Sequence, residues 1–540
     1  MTQEVKIDRR RFLVCTAKGA AAYTVLNSPL VEYLGRAESG HALNLASDPR
    51  RPQFHLLPAA NWMNDPNGPI YWKGRYHMFF QYNPNAAVWG DMHWAHAISP
   101  DMVHWKHLPV ALAPTPGGPD ADGCFSGTAV VRNGVVTFLY TGVAKASSEE
   151  ATLRDGHNNF KETQCYATST DPELRTWTKR PTPVIATPPH GMQVTGFRDP
   201  APWREPALYP DGWLMAVGSG EQKKGGAVLL YKSADLQNWE YLHIVAAGSA
   251  KDGDATNPVD SGDMWECPDL FPLGNKHVLI YSTQGKVFWK VGELDPKELL
   301  FHEQQNGLLD YGSFYAPKTQ LDKHGNRILW GWIPETRPVA EYSASGWAGL
   351  MSLPRVLTVG NDGRLRIAVS PEVEKLRKHE QKLHLAPIKP GDKQMLSDQR
   401  LKDACGELLC IVKPGAEPFT LDLLDTTPQN DAPKDATTAV TSQVSFLSIR
   451  YSQANPGELV VDQQRMPIHL ASGEPLELRL YVDGSVIELF VNNQSTCTKR
   501  FYYPGRTAPE ITVNITGKPA DITRLSLWQL SPISGDRLTS

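Results

Sequence analysis

The chain has 540 residues, 41% hydrophobic and 21% charged, enough for two or three domains around a substantial core. Its 54 basic and 58 acidic residues leave a net charge of −4, which argues against the basic surface of a nucleic-acid binder. Beyond the N-terminus no stretch approaches the ~20 apolar residues of a membrane span, so no membrane contact is expected of a mature form.

The N-terminal segment Asp8-Arg9-Arg10-Arg11-Phe12-Leu13 resembles a twin-arginine export signal. A moderately apolar stretch, Ala20 to Leu26, follows it, and Gly40-His41-Ala42 offers a small-residue cleavage site. Residues 1–42 therefore read as a leader for the twin-arginine export machinery, and the expected location is periplasmic or extracellular. Cys15 leaves with that leader. Cys124, Cys165, Cys267, Cys405, Cys410 and Cys497 contain no CxxC pair and suggest neither a zinc site nor a disulfide framework.

An internal repeat comes next. Ser99-Pro-Asp101-Met-Val-His-Trp105, Ser169-Thr-Asp171-Pro-Glu-Leu-Arg-Thr-Trp177 and Ser233-Ala-Asp235-Leu-Gln-Asn-Trp239 share a Ser-x-Asp, then Trp, pattern. A turn closed by Asp before an outer strand suits a four-stranded blade. Apolar runs such as Tyr76-His-Met-Phe-Phe-Gln-Tyr82, Val135 to Tyr140, Trp213 to Val217 and His277 to Tyr281 read as buried strands. Asn133-Gly134 and Asp211-Gly212 look like the hairpin turns that introduce two of them. Residues 50–365 are expected to form a five-bladed β-propeller.

After Ser370-Pro371, a helix-start pattern, a charged run extends to Lys382, and residues 366–384 read as a linker. Leu476-Glu-Leu-Arg-Leu-Tyr-Val482 then alternates strictly, and Asp483-Gly484 turns into Ser485 to Val491. A β-sandwich is expected over 385–535, which makes the whole chain all-β.

Three acidic motifs lie in the propeller region: Trp62-Met-Asn-Asp65-Pro-Asn-Gly68, Phe197-Arg-Asp199-Pro200 and Trp265-Glu266-Cys-Pro-Asp269. Their spacing assigns each to a different blade, and inner strands of separate blades converge on one end of a channel. Alone, Asp65-Pro-Asn-Gly could be a plain turn, Arg198-Asp199 an ion pair and Glu266 a rim residue. Competing chemistry is weakly signalled. His93, His96, His104 and His107 lie across a strand and a repeat turn, so no metal is expected. Gly218-Ser-Gly220 has Lys at 223 and makes no dinucleotide loop, and Cys267 has no evident partner base. No cofactor is expected.

In combination, the acids resemble glycoside hydrolase family 32, the invertase, inulinase and levanase family. Gln81-Tyr-Asn-Pro, Trp89-Gly-Asp-Met-His-Trp, Cys124-Phe-Ser-Gly127, Phe314-Tyr-Ala-Pro-Lys-Thr319, Leu329-Trp-Gly-Trp332, Gly346-Trp-Ala-Gly and Val482 to Phe490 carry the likeness in the family's order. It implies a five-bladed propeller plus a sandwich and a β-fructofuranosidase releasing terminal fructosyl units from sucrose, inulin or levan. Carried over by motif, Asp65 is the nucleophile with a low pKa, and Glu266 the general acid/base with a raised one. Asp199 is the transition-state stabiliser, kept ionised by Arg198. Asn64, Gln81, Trp89, Phe125, Ser126, Arg198 and Trp332 are implied sugar contacts, with Trp330 or Trp347 able to replace Trp332. Asp269 and Asp310 receive no catalytic role. A fructosyltransferase, an arabinan-type inverting hydrolase and a non-catalytic glycan-binding propeller remain as alternatives.

Overall fold

A computed structural model of the chain describes residues 44–154, 158–249, 260–387, 394–414, 417–426, 444–452, 457–504, 507–518 and 521–540. The export segment therefore lies outside the described residues. Among those residues no helix is long and apolar enough to cross a membrane, and the six described cysteines are free and buried.

Five antiparallel sheets follow one another along the chain. Their first strands are Asn61–Trp72, Gly123–Arg132, Val194–Trp203, Glu266–Leu273 and Tyr315–Leu321, and these define blades I to V. Each first strand touches that of the next blade, and blade V touches blade I, so the inner strands close a ring. This is the five-bladed propeller. The short pair Trp347–Ala348 and Leu350–Met351 fastens the ring, the former pairing with blade I and the latter with blade V. Gly349 sits between them at φ +78°, where a Cβ would meet the Met63 carbonyl oxygen at 1.9 Å.

The expected apolar runs are the second strands of blades I to IV. Asn133-Gly134 makes a two-residue hairpin with both residues at positive φ. Asp211-Gly212 does not. It ends a longer loop, because the strands first pair at Trp203 and Leu214. The Ser-x-Asp repeat is one turn used three times before the outer strand. Asp101 and Asp235 each accept two backbone N–H bonds, and Asp171 also accepts two. Trp105, Trp177 and Trp239 donate their indole N–H to Met102, Leu174 and Leu236, which all have positive φ. Blade IV builds a related turn on Asp295 and Leu299 (φ +55°) without the Trp, so the sequence pattern missed it.

The stretch 366–384, read as a linker, is ordered into both halves. Leu365–Val369 ends blade V. Pro371–Leu376 is a 3-10 turn capped by Ser370, with Val373 and Leu376 buried. Arg377–Lys382 is an edge strand of a six-stranded sheet, and Arg377 forks onto the buried Glu407 at 2.6 Å through Nε and Nη2. Local charge hid a strand whose outer position tolerates it.

That six-stranded sheet packs on a seven-stranded one to form the sandwich. Leu408, Leu421, Ile449, Leu478 and Val513 fill the space between them. Its other face packs on the propeller, where Tyr481, Phe490 and Trp528 join Phe271, Phe314 and Leu329.

A buried polar network pins this interface. Arg355 donates to Glu488 (2.6 Å) and Asp310 (2.9 Å), and its guanidinium also reaches Thr496 and Thr498. His55 lies with Nδ1 2.8 Å from Asp483 and Nε2 3.0 Å from Glu488. Both ring nitrogens face carboxylates, so both donate and the ring is an imidazolium. Burial opposes that charge, but the two carboxylate hydrogen bonds lift His55 to about 9. This contribution is complete below the ordinary value of 6.5 and is lost as pH rises through 9. It amounts to about 3 kcal/mol. The melting temperature should therefore fall over that interval, and His55→Gln should melt lower below it and lose this slope.

Candidate active site

The inner strand of a propeller blade is a sheet edge, so a residue lacking an N–H costs little there. Each inner strand carries a β-bulge near its start. The register breaks between Met63 and Pro66, Phe125 and Gly127, Arg198 and Ala201, Glu266 and Asp269, and Tyr315 and Lys318. The residues left unpaired include Asp65, Ser126, Asp199, Cys267 and Ala316, the last three of the turns also containing Pro200, Pro268 and Pro317. Asp199, Cys267 and Ala316 have φ of +65°, +49° and +49°. Bulges of this kind re-aim side chains and commonly flank active sites. Asp65-Pro-Asn-Gly68 is thus part of a doubly bulged strand and not a reverse turn.

Asp65 is held in a closed ring of hydrogen bonds. Asn64 Nδ2 donates to Asp65 Oδ1 (3.0 Å) and to Gln81 Oε1 (2.9 Å). Gln81 Nε2 donates to Ser126 Oγ (2.9 Å), which leaves the Ser126 proton for Asp65 Oδ2 at 2.5 Å. Trp62 Nε1 closes the other side of Asn64 by donating to its Oδ1 at 2.7 Å. Asn64, Gln81 and Ser126 are buried, so these directions are fixed before any ligand arrives.

Glu266 faces this group from blade IV. Its Oε1 accepts from Arg198 Nη2 at 2.7 Å and its Oε2 from the Tyr315 hydroxyl at 2.5 Å. Asp199 Oδ2 accepts the Cys267 backbone N–H at 2.8 Å, while its own N–H donates to Thr141 Oγ1 at 2.8 Å. The Cys267 thiol lies 3.5 Å from Asp65 Oδ2, and burial raises its pKa well above the ordinary thiol value. It is a donor to the carboxylate and not a nucleophile.

Two electrostatic expectations change. Arg198 pairs with Glu266 and with Glu162 on blade II, both at 2.7 Å, and donates no hydrogen bond to its sequence neighbour Asp199. The bulge and the positive φ of Asp199 break the regular strand here and aim the two side chains at different partners. Burial drives Asp199 up to about 7, with Arg198 and Lys318 pulling the other way and Glu266 and Asp65 adding to the rise. Asp65 is also raised. Desolvation is the main cause and the Glu266 charge contributes, against the donors Ser126, Asn64 and Cys267. The expected low value for Asp65 is therefore not found, because burial, with the Glu266 charge added, outweighs its hydrogen-bond donors.

An aromatic cluster lies beside Asn64, to which its member Trp62 donates. Trp332 lies 5.8 Å from Trp62, and Tyr342, on the short helix Val339–Ala344, lies 6.0 Å from Trp62. Trp89 meets Phe125 edge-on at 5.8 Å. Trp330 and Trp347 belong elsewhere, the former in the blade core and the latter against Leu57, Ile333 and Val486. Of the three indoles, Trp332 is the one that joins the cluster of Trp62, Trp89, Phe125 and Tyr342. Asp269 accepts the Thr319 N–H between blades IV and V, and Asp310 belongs to the interface network. Among the described residues no His, Cys, Asp and Glu cluster could hold a metal ion. His96 instead stacks on His77 with their rings hydrogen-bonded at 2.9 Å.

Sequence reasoning assigned no role to Tyr315, Thr141, Lys318 or Glu162. Tyr315 stands inside a quoted motif and could have been found from it. Glu162 follows an exposed-looking pattern, Lys161-Glu-Thr163, and gives no local sign of its partner.

A bulged five-bladed propeller with three converging acids, joined to a sandwich, defines a class of glycosidase. Residues 55–371 match the glycosyl hydrolases family 32 N-terminal domain and 372–529 the family 32 C-terminal domain, and the chain belongs to this family. A sucrose-6-phosphate hydrolase of Escherichia coli is 34% identical, over 89% of this chain and 94% of its own. The raffinose invertase of Escherichia coli is 35% identical, over 89% and 95%. The crystal structure of fructan 1-exohydrolase IIa from Cichorium intybus superposes with a TM-score of 0.72 at 28% identity, covering 90% of this chain and 98% of that one.

Proposed function

We propose that this protein is a retaining β-fructofuranosidase that releases terminal β-D-fructofuranosyl units from sucrose and fructans. The supporting observation is the convergence of Asp65, Asp199 and Glu266 from three bulged strands, with Asp65 held in a ring of fixed donors. Fructosyl C2 gains positive charge as its bond breaks. Asp65 stabilises that charge and then bonds to C2, while Glu266 gives its proton to the departing oxygen. In the second step Glu266 takes a proton from water, which attacks C2 and frees Asp65. Asp199 and Arg198 face the fructosyl hydroxyls, and Trp89, Phe125 and Trp332 wall the sugar from water.

Chromatography of products from sucrose, sucrose 6-phosphate, inulin and levan tests the reading. Sucrose should yield glucose and fructose in equal amounts, and fructans should release fructose and shorten one unit at a time. Binding of these sugars without any release of fructose would refute it.

Asp199→Asn keeps size and the bond to Cys267 but removes charge. Turnover should drop roughly 10²–10⁴-fold, because the lost contacts matter most as the ring flattens. A carboxyl raised from 3.8 to about 7 withdraws stability as pH climbs through that interval, by up to about 4 kcal/mol. The variant should therefore melt close to the parent near pH 4 and higher than it at pH 7. A variant that melts lower yet turns over normally would reduce Asp199 to a structural role.

Export rests on Asp8-Arg9-Arg10-Arg11-Phe12-Leu13. Replacing Arg9, Arg10 and Arg11 with Lys should retain the protein inside the cell, since the twin-arginine route reads arginine and not charge alone. Normal export of that variant would remove this part of the reading.

A further inference from the structure

Resting on the role of Glu266 as proton donor, we propose that Glu162 is a positioning residue that fixes the Arg198 guanidinium and shares its charge with Glu266. Glu162 lies on the third strand of blade II, Asn159–Ser169, and its side chain is fully buried. Its Oε1 accepts from Arg198 Nη1 at 2.7 Å. Its Oε2 accepts the Phe197 N–H at 2.8 Å and the Thr152 hydroxyl at 3.0 Å, while its own N–H donates back to Thr152 at 2.9 Å. The carboxylate has no freedom left. Because a guanidinium is a rigid plane, holding Nη1 also directs Nη2, which donates to Glu266 at 2.7 Å.

Joining blades II and III does not require this charge. Gln164, two residues along the same face of the strand, already makes a neutral stitch, its Nε2 donating to the Phe197 carbonyl at 2.9 Å. A buried carboxylate is costly unless it is paired, and the pair it makes here is the one that reaches Glu266. Arg198 faces Glu162 on blade II, Glu266 on blade IV and Asp199 on its own strand. Glu266 faces Arg198, the Tyr315 hydroxyl on blade V, Asp65 on blade I and Asp199. Lys318 of blade V acts on Asp199. Glu162 is the member of this group that touches Arg198 from outside the sugar site.

Glu162→Gln keeps the size and removes the charge, so the whole charge of Arg198 is left to Glu266 and Asp199. On sucrose, kcat/KM should fall about 10–100-fold, mainly in kcat. The alkaline limb of its pH profile should move down by about one unit. A fructofuranoside with an acidic leaving group, which needs little protonation, should lose no more than about threefold. Glu162→Asp, which restores the charge at shorter reach, should recover part of the sucrose rate and return the limb towards that of the parent. Equal losses on both substrates with an unmoved limb would reduce Glu162 to a structural stitch and overturn the proposal. Should Glu162→Gln fail to fold, Thr152→Val loosens the carboxylate while keeping its charge. That variant should slow sucrose selectively, and equal slowing of both substrates would again overturn the proposal. Failure of the underlying reading shows separately, as the absence of any leaving-group dependence in Glu266→Gln, and it removes the proposal too.

Discussion

Asp65→Asn should be inactive on every fructoside, whatever its leaving group, with kcat/KM reduced by roughly 10⁴-fold or more. The amide cannot bond to C2, so neither protonation of the leaving group nor an activated substrate compensates. Folding should survive, because Asn can still accept from Ser126 and the bond from Asn64 to Gln81 remains. The parent should show a related pH signature. Asp65 must be ionised to attack, and its carboxyl is raised by burial and by Glu266. Activity should therefore fail on the acid side above the ordinary carboxylate range. Ser126→Ala removes the 2.5 Å donor and should move that acid limb further up. An acid limb unmoved by Ser126→Ala would mean that Asp65 is not the group being titrated.

Glu266→Gln should divide substrates by leaving group. Sucrose needs a proton on the departing oxygen, and its turnover should drop roughly 10²–10⁴-fold. A fructoside with an acidic leaving group should form its covalent intermediate at near-parent rate and then stall, since no base activates water. A burst followed by slow release is the expected time course. The structure gives the glutamate two fixed donors, Arg198 and Tyr315, so the amide should retain its position. Equal losses in kcat/KM on both substrates, with no burst, would deny it the acid role.

What could be read in advance was local or was carried by ordered motifs. The second strands of blades I to IV announce themselves as apolar runs, because a strand buried on both faces has nothing to alternate with. The Asp-closed turn was legible in three blades through Ser and Trp. In blade IV the same backbone geometry at Asp295 and Leu299 has neither residue beside it. The three acids were legible through the ordered motifs that resemble the family, and the structure adds that each motif has Pro at a bulge.

The rest depended on neighbours far away in sequence. Arg198 next to Asp199 suggested an ion pair, yet at this bulge, with Asp199 at positive φ, the guanidinium goes to Glu162 and Glu266. Whether Asp65 is lowered or raised depends on the balance of donors and burial at the end of the channel, and composition cannot reveal that. The charged stretch 377–382 looked like solvent-facing connector, because an edge strand on a sandwich is free to be charged on its outer side. Its Arg377 found Glu407, thirty residues away in the chain.

The central claim is that Asp65 bonds to fructosyl C2 from one face and that an acceptor later enters from the other. Methanolysis tests it most directly, because a methyl fructofuranoside keeps its configuration where free fructose does not. The parent enzyme should be given sucrose in aqueous methanol and the methyl fructofuranoside examined by NMR. Two inversions through a covalent intermediate predict the β-anomer, absent with Asp65→Asn. The α-anomer would show a single displacement and contradict the account.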